Sequence, residues 1–336
     1  MMGGIACLGE PVLRLGAPAG ELPLASARFE AHLGGAEANF AAAWAALGHD
    51  TRLITALPTG PLGDAALQAL RGYGIDTRAC LRGEGRLGLY YLIPGTSVTG
   101  PQVVYDREGS AFSLVPPEAW DWSTLLAECN WLHISGVTPA LGRGPADAAI
   151  AAARFARASG LTVSFDGNWR GRLWERWDGE PRTILSAIIE QANVLFGNHR
   201  DAALLLGRDF GGDGEGRRRD AALALLERFA NLRTVASTAR TVVDPQRHTI
   251  VARIDGREEA IQSASIAITP IVDRIGAGDA FAAGVIDGLR RETSLAQALH
   301  DGLALTAIKH GLTGDSARVP RAVLDAASFT PSDVAR

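Results

Sequence analysis

Asp273-Arg274-Ile275-Gly276-Ala277-Gly278-Asp279-Ala280-Phe281 follows a short apolar run, Ile266–Ile268, and leads into a segment with Phe281, Val285 and Leu289 on one helical face. The pattern is a strand, a glycine-rich turn and a helix start. Gly276 and Gly278 carry no Cβ, so the amides from Gly276 through Ala277 and Gly278 to Asp279 can converge on one point. The helix N-terminus adds partial positive charge there. Such a turn makes an anion hole suited to a phosphoryl group. Asp279 stands inside it, where a carboxylate can take the proton of an attacking hydroxyl. An Asp in a first helical turn also complements the helix dipole, so the rest of the chain has to decide.

Outward from this turn, short apolar runs alternate with helical patterns. Strands are expected at Ile5–Gly9, Arg52–Ala56, Trp131–Ser135, Leu161–Asp166, Val194–Gly197 and Thr234–Ser237. Helices are marked between them by Phe40/Trp44/Leu47, Leu67/Leu70, Ala146–Ala158 and Leu223/Leu226/Phe229. This order implies an α/β fold: a doubly wound, mostly parallel sheet with helices on both faces. Segments 10–34 and 86–115 break the alternation and read as a small β-sheet outside the main layer. The stretch 207–220 (GRDFGGDGEGRRRD) reads as a solvated loop, and 331–336 as a frayed tail. With no internal repeat, residues 1–330 read as one domain.

Composition excludes several classes. The chain has 336 residues, 33 Lys+Arg against 37 Asp+Glu, a net charge of -4 and 47% apolar residues. A sizeable core is affordable, and the basic excess of a nucleic-acid binder is missing. No apolar stretch approaches the ~18 residues of a membrane helix. Met1–Glu10 lacks a basic segment followed by an apolar one, so no signal peptide is expected. Cys7, Cys80 and Cys129 are scattered, as suits reduced thiols and a cytoplasmic location. Lys309 is the only lysine, and Ile308 precedes it, so there is no Walker-A loop and no protein-kinase strand lysine. HExxH, zinc-spaced Cys/His and GxSxG are also missing.

Other motifs carry chemistry beside plainer explanations. Gly83, Gly85 and Gly88 spell GxGxxG, but Leu89-Tyr90-Tyr91-Leu92 after them reads as strand, so the motif is a turn. Gly34-Gly35 opens the Phe40 helix, and Asn39 can bond a hydroxyl. Tyr105-Asp106-Arg107 lies in the small sheet. Asp166-Gly167-Asn168-Trp169-Arg170 follows a strand, at the end where open α/β sheets bind ligands. Arg107 and Arg170 are the two arginines placed in a substrate pocket, where either can fork a carboxylate, although a lone surface Arg is usually only solvated. Asn198-His199-Arg200-Asp201 begins a helix, and Asp201 can hold Mg²⁺ through water; a plain helix start explains it equally well. The tryptophans read as packing, with Trp169 the one candidate sugar platform.

Taken in order over residues 5–320, these segments resemble the ribokinase-like (PfkB) carbohydrate kinases. GGAEANFAAAWAALG (34–48) and DRIGAGDAF (273–281) match the two family signatures. Within that family VYDREGSA (104–111), FDGNWRGRLW (165–174) and the late KHGLTGD (309–315) are similar to 2-keto-3-deoxygluconate kinases. The resemblance implies an ATP-dependent kinase acting on the terminal hydroxyl of that sugar acid, with Mg²⁺ as cofactor and a K⁺ requirement left open. It implies that Gly35, Asn39, Tyr90, Tyr105, Arg107 and Arg170 bind the sugar acid and that Asp279 is the base. Asn198, Ser237, Thr238, Arg240, Gly276 and Gly278 would bind ATP. The small sheet would be a lid, forming a homodimer or larger homo-oligomer.

The sequence departs from the family at Arg274-Ile275, where a small polar pair often stands. Asp201 shortens the metal-linked NxxE, and Ser237-Thr238-Ala239-Arg240 replaces a Lys-x-Gly-x-x-Gly nucleotide turn. Fructose, a keto-deoxygalactonate and a deoxy-keto-inositol product stay open as substrates of the same fold. A non-catalytic sugar sensor is the alternative of another class.

Overall fold

The computed structural model describes residues 3–18, 20–25, 27–95 and 99–329. The tail expected at 331–336 lies outside the described residues. Among the described residues ten strands form the main sheet. From one edge its order is Cys80–Gly83, Thr51–Pro58, Gly4–Leu8, Cys129–Ser135, Thr162–Asp166, Val194–Phe196, Thr234–Asp244 and Arg247–Asp255. Ala260–Gln262 and Ile266–Ile268 both pair with Arg247–Asp255. The sheet is parallel as far as Thr234–Asp244 and antiparallel beyond it.

Every residue of Thr51–Pro58 is buried, as a central strand covered on both faces must be. The period of two sorts the strand side chains between two cores. Along Cys129–Ser135, Trp131 joins Phe40, Trp44, Ile286 and Leu303 on one face. Leu132 and Ile134 join Phe165, Ile188 and Leu225 on the other. Helices Ala36–Ala46, Ala277–Arg290 and Leu295–His310 cover the first face; Arg143–Ala158, Pro181–Ile189 and Gly214–Arg228 cover the second.

A separate four-stranded sheet runs Glu30–Gly34, Val12–Gly16, Gly88–Ile93, Gln102–Asp106. All its strands fall inside the two segments that broke the alternation. Val12, Arg14 and Tyr90 point from it into the body of the protein, while Leu13, Leu15 and Tyr91 are only partly covered and Val104 is exposed.

Two sequence expectations change. The loop read at 207–220 is confined to 207–213, because a helix already begins at Gly214. Its glycines argue against helix locally, but tertiary contacts override them. Glu215 pairs with Arg253 at 2.7 Å and Arg219 with Asp255 at 3.0 Å, fastening the first turns to strand Arg247–Asp255. The strand read at Thr234–Ser237 runs on to Asp244 and returns as a long hairpin. Its outer part begins with Thr238-Ala239-Arg240-Thr241, which carries no hydrophobic signal, and the Val242 and Val243 that follow are exposed.

Candidate active site

Two clefts adjoin at the C-terminal ends of the parallel strands. The larger, about 910 Å³, is lined by Asn198, Asp201, Ser237, Thr238 and Trp169. The smaller, about 510 Å³, is lined by Gly35, Asn39, Tyr90, Tyr105, Arg107 and Asp279. Asp166, Asn168, Arg170, Arg240, Arg274, Ala277 and Gly278 border both. The residues read as sugar-binding therefore share one cleft, and most of those read as nucleotide-binding share the other. Gly276 is the exception: it borders the smaller cleft. Arg240 and Arg274 also border the smaller cleft, so Arg107 and Arg170 are not its only arginines.

The two helices that open on glycine meet here. Gly35 holds φ +115°, and a Cβ on it would lie 2.4 Å from the Glu10 carbonyl oxygen. Gly276 holds φ +80°, and a Cβ there would lie 1.6 Å from the Asp315 carbonyl oxygen. Neither position accepts a side chain. One turn into the first helix, Asn39 Nδ2 donates to Asp279 Oδ2 at 2.8 Å. Glu37 accepts from the Ser135 amide at 2.9 Å and the Thr138 hydroxyl at 2.7 Å, fastening that helix to a strand end.

Burial holds the Asp279 carboxyl well above the usual carboxylate range; the Asn39 hydrogen bond opposes this, and the charges of Asp166 and Glu37 add to it. Asp166 is pushed up to about 7 by burial, with the charge of Asp201 next. Burial also raises Asp201. Its Oδ2 accepts from the Asn198 amide at 2.7 Å, closing a capping box. Among the described residues no group of three or more His, Cys, Asp or Glu is placed to hold a metal. Two mutually repelling, half-buried carboxylates at a cleft nevertheless fit Mg²⁺, which keeps several waters and needs one or two carboxylates. Asp166 was not read from the sequence as a metal residue.

The two candidate sugar-acid arginines differ. Arg107 is buried, and its Nε donates to Glu10 Oε2 at 2.6 Å. Among the described residues, Arg170 donates hydrogen bonds to the carbonyls of Asn168 and Trp169 alone, at 3.4 and 3.0 Å. Its fork is open to the shared wall of the clefts. Trp169 is 42% exposed beside it, whereas Trp44, Trp120, Trp131 and Trp174 are buried, as packing requires.

Sequence reading missed Arg14 and Asp315. Arg14 Nη2 donates to Asp273 Oδ2 at 2.6 Å, and Arg14 Nε pairs with Asp315 Oδ1 at 3.0 Å. The Tyr90 hydroxyl donates to Asp315 Oδ2 at 2.7 Å. The small sheet is thus bolted to the loops around Gly276. For Asp315 the available signal was the fragment KHGLTGD, which it closes.

The family model of the pfkB family carbohydrate kinases matches residues 2–321. The chain belongs to this family. It is a phosphotransferase that acts on an alcohol group of a sugar. It is similar to the 2-dehydro-3-deoxygalactonokinase of Haloferax volcanii, at 28% identity over 95% of this chain and 94% of that protein. It is also similar to the 2-dehydro-3-deoxygluconokinase of Bacillus subtilis, at 28% identity over 87% and 85%. Among solved structures, the 2-dehydro-3-deoxygluconokinase of Thermotoga maritima superposes with a TM-score of 0.91 at 33% identity, covering 97% of this chain and 98% of that one. As in the family, a mostly parallel α/β core carries a separate small sheet. Among the described residues no helix is long and apolar enough to cross a membrane.

Proposed function

We propose that this kinase transfers the γ-phosphoryl group of ATP to the terminal hydroxyl of 2-keto-3-deoxygluconate. The observation that carries the reading is the Asn39–Asp279 pair, set in the smaller cleft next to Gly278, which borders both clefts at a glycine-opened helix start. ATP occupies the larger cleft and the sugar acid the smaller. Asp279 takes the hydroxyl proton, the sugar oxygen bonds to the γ-phosphorus, and the bond to the bridging oxygen breaks to release ADP. The amides from Gly276 to Asp279 meet the charge on the transferred group, and Arg240 and Arg274 add positive charge to the same wall. Asp166 and Asp201 are the carboxylates that would hold Mg²⁺, which neutralises phosphate charge when bound.

Arg170 supports an acid substrate: it borders both clefts, and its planar fork matches a carboxylate or a keto–hydroxyl pair. Fructose offers no carboxylate. The galacto epimer is the second reading, favoured by the Haloferax volcanii relative. Residues 1–330 act as one domain, and the partly covered outer face of the small sheet, with Leu13, Leu15, Tyr91 and Val104, closes against a second copy. Three free cysteines suit the cytoplasm.

A coupled ADP-release screen over about a dozen sugars and sugar acids tests the reading. A preference of ~10²-fold or more in kcat/KM for the keto-deoxy acid over fructose is expected, since each charge-assisted contact is worth roughly 1.5–3 kcal/mol. Comparable efficiency on fructose would transfer the assignment to fructokinase, and tight sugar binding without turnover would make the protein a sensor.

A further inference from the structure

Lys309, the sole lysine of the chain, is 0% exposed. A buried ammonium is ordinarily matched by a carboxylate. Here Nζ instead donates to two main-chain carbonyls, Asp273 O at 3.1 Å and Leu312 O at 2.9 Å. No carboxylate oxygen among the described residues lies within ion-pair distance of it.

The two carbonyls belong to different loops. Asp273 leads into the glycine turn at Gly276, and Leu312 follows helix Leu295–His310. The loops touch closely: the amides of Val272 and Asp273 both donate to His310 O, at 2.8 and 3.2 Å. Thr306 Oγ1 donates to Ala277 O at 3.2 Å, and the Asp315 carbonyl packs where a Gly276 side chain would stand. The Asp273 side chain is spoken for by Arg14 and by the Ile275 amide, the latter at 3.0 Å. The ammonium thus sits between the loop that aims the anion hole and the loop that backs it.

Carbonyl oxygens from two loops are the ligands that a desolvated monovalent cation would seek. A lysine here supplies that charge on a tether. Without it, two part-buried carbonyls lose their partner and the loops lose their common anchor. We infer that Lys309 is a positioning residue whose tethered ammonium holds the anion-hole loop, so that catalysis needs no free monovalent cation. This rests on Gly276–Asp279 being the phosphoryl site, as proposed above.

The test compares potassium, sodium and tetramethylammonium chlorides as the sole monovalent salt. With ATP and the best sugar of the screen, the wild-type rate should vary by less than about twofold among them. Lys309→Met, which fills the space without charge, should lose about tenfold or more in kcat with both KM values little changed. Lys309→Ala should recover activity with added ammonium or potassium, which can enter the vacated space. Melting curves decide the matter without turnover: wild type should melt at the same temperature in potassium and tetramethylammonium, whereas Lys309→Ala should be stabilised by potassium. Wild-type activation by potassium of about tenfold, or wild-type kcat in folded Lys309→Met, overturns the inference. No turnover on any sugar, with the melts as expected, would instead sink only the substrate reading.

Discussion

Asn39 Nδ2 donates to Asp279 Oδ2 across 2.8 Å, joining the two glycine-opened helices from positions 240 residues apart. The bond tethers a carboxylate that burial drives toward its neutral form. A desolvated carboxylate is a stronger base and a poorer contributor to stability. Its folded pKa lies above the unfolded one, so the stability it lends is present below the unfolded pKa and lost as pH rises through the folded value. Asp279→Asn should therefore lower kcat ~10²–10⁴-fold without lowering the melting temperature at neutral pH. Kinetics and a melt on one preparation check both halves; near-normal kcat removes the general-base role.

Asn39→Ala removes the contact that favours the charged form of Asp279. The Asp279 pKa should then rise further, and the acid limb of kcat/KM should move to higher pH. The pH–rate profiles of the two proteins decide it. An acid limb that stays in place would show that the limb belongs to another group.

Arg107 and Arg170 should separate by readout. Arg107 and Glu10 form a buried ion pair at 2.6 Å, and breaking such a pair costs about 3–5 kcal/mol. Arg107→Ala should melt markedly lower. Arg170 has no such commitment, so Arg170→Lys should melt as wild type. It should raise the KM for the sugar acid roughly tenfold or more, at about 1.4 kcal/mol per factor of ten, with the KM for ATP little changed. An ATP-selective defect, or a purely thermal one, would take Arg170 out of the sugar site.

Much of this was legible in the sequence because it rests on short local rules. Strand–helix alternation gives the parallel layer, and the two glycine turns give the helix starts that border the clefts. The rest depended on chain closure. Nothing near Asp315 announces that Tyr90 and Arg14 converge on it from the small sheet. The helix at Gly214 exists through ion pairs to a strand some forty residues on, so its glycines misled. Arg107 reads as a free ligand until Glu10, 97 positions earlier, folds against it.

Gly276 and Gly278 lie two residues apart, and alanine should affect stability oppositely at the two. At Gly276 the added Cβ meets the Asp315 carbonyl at 1.6 Å, on a backbone with φ +80°. Asp315 is pinned by Tyr90 and Arg14, so it cannot step aside. Gly276→Ala should lower the melting temperature and cost ~10²-fold or more in kcat by displacing the amide donors. At Gly278 no atom of the described residues beyond its own helix turn lies within 4 Å of an added Cβ, and the residue is helical. Alanine there should hold or raise the melting temperature, since it improves on glycine in a helix by up to about 1 kcal/mol. Yet Gly278 borders both clefts, so the new methyl group intrudes where the phosphoryl group would approach the amides. Gly278→Ala should therefore lose turnover while keeping its fold. Full activity in a well-folded Gly278→Ala would place phosphoryl transfer somewhere other than this helix start.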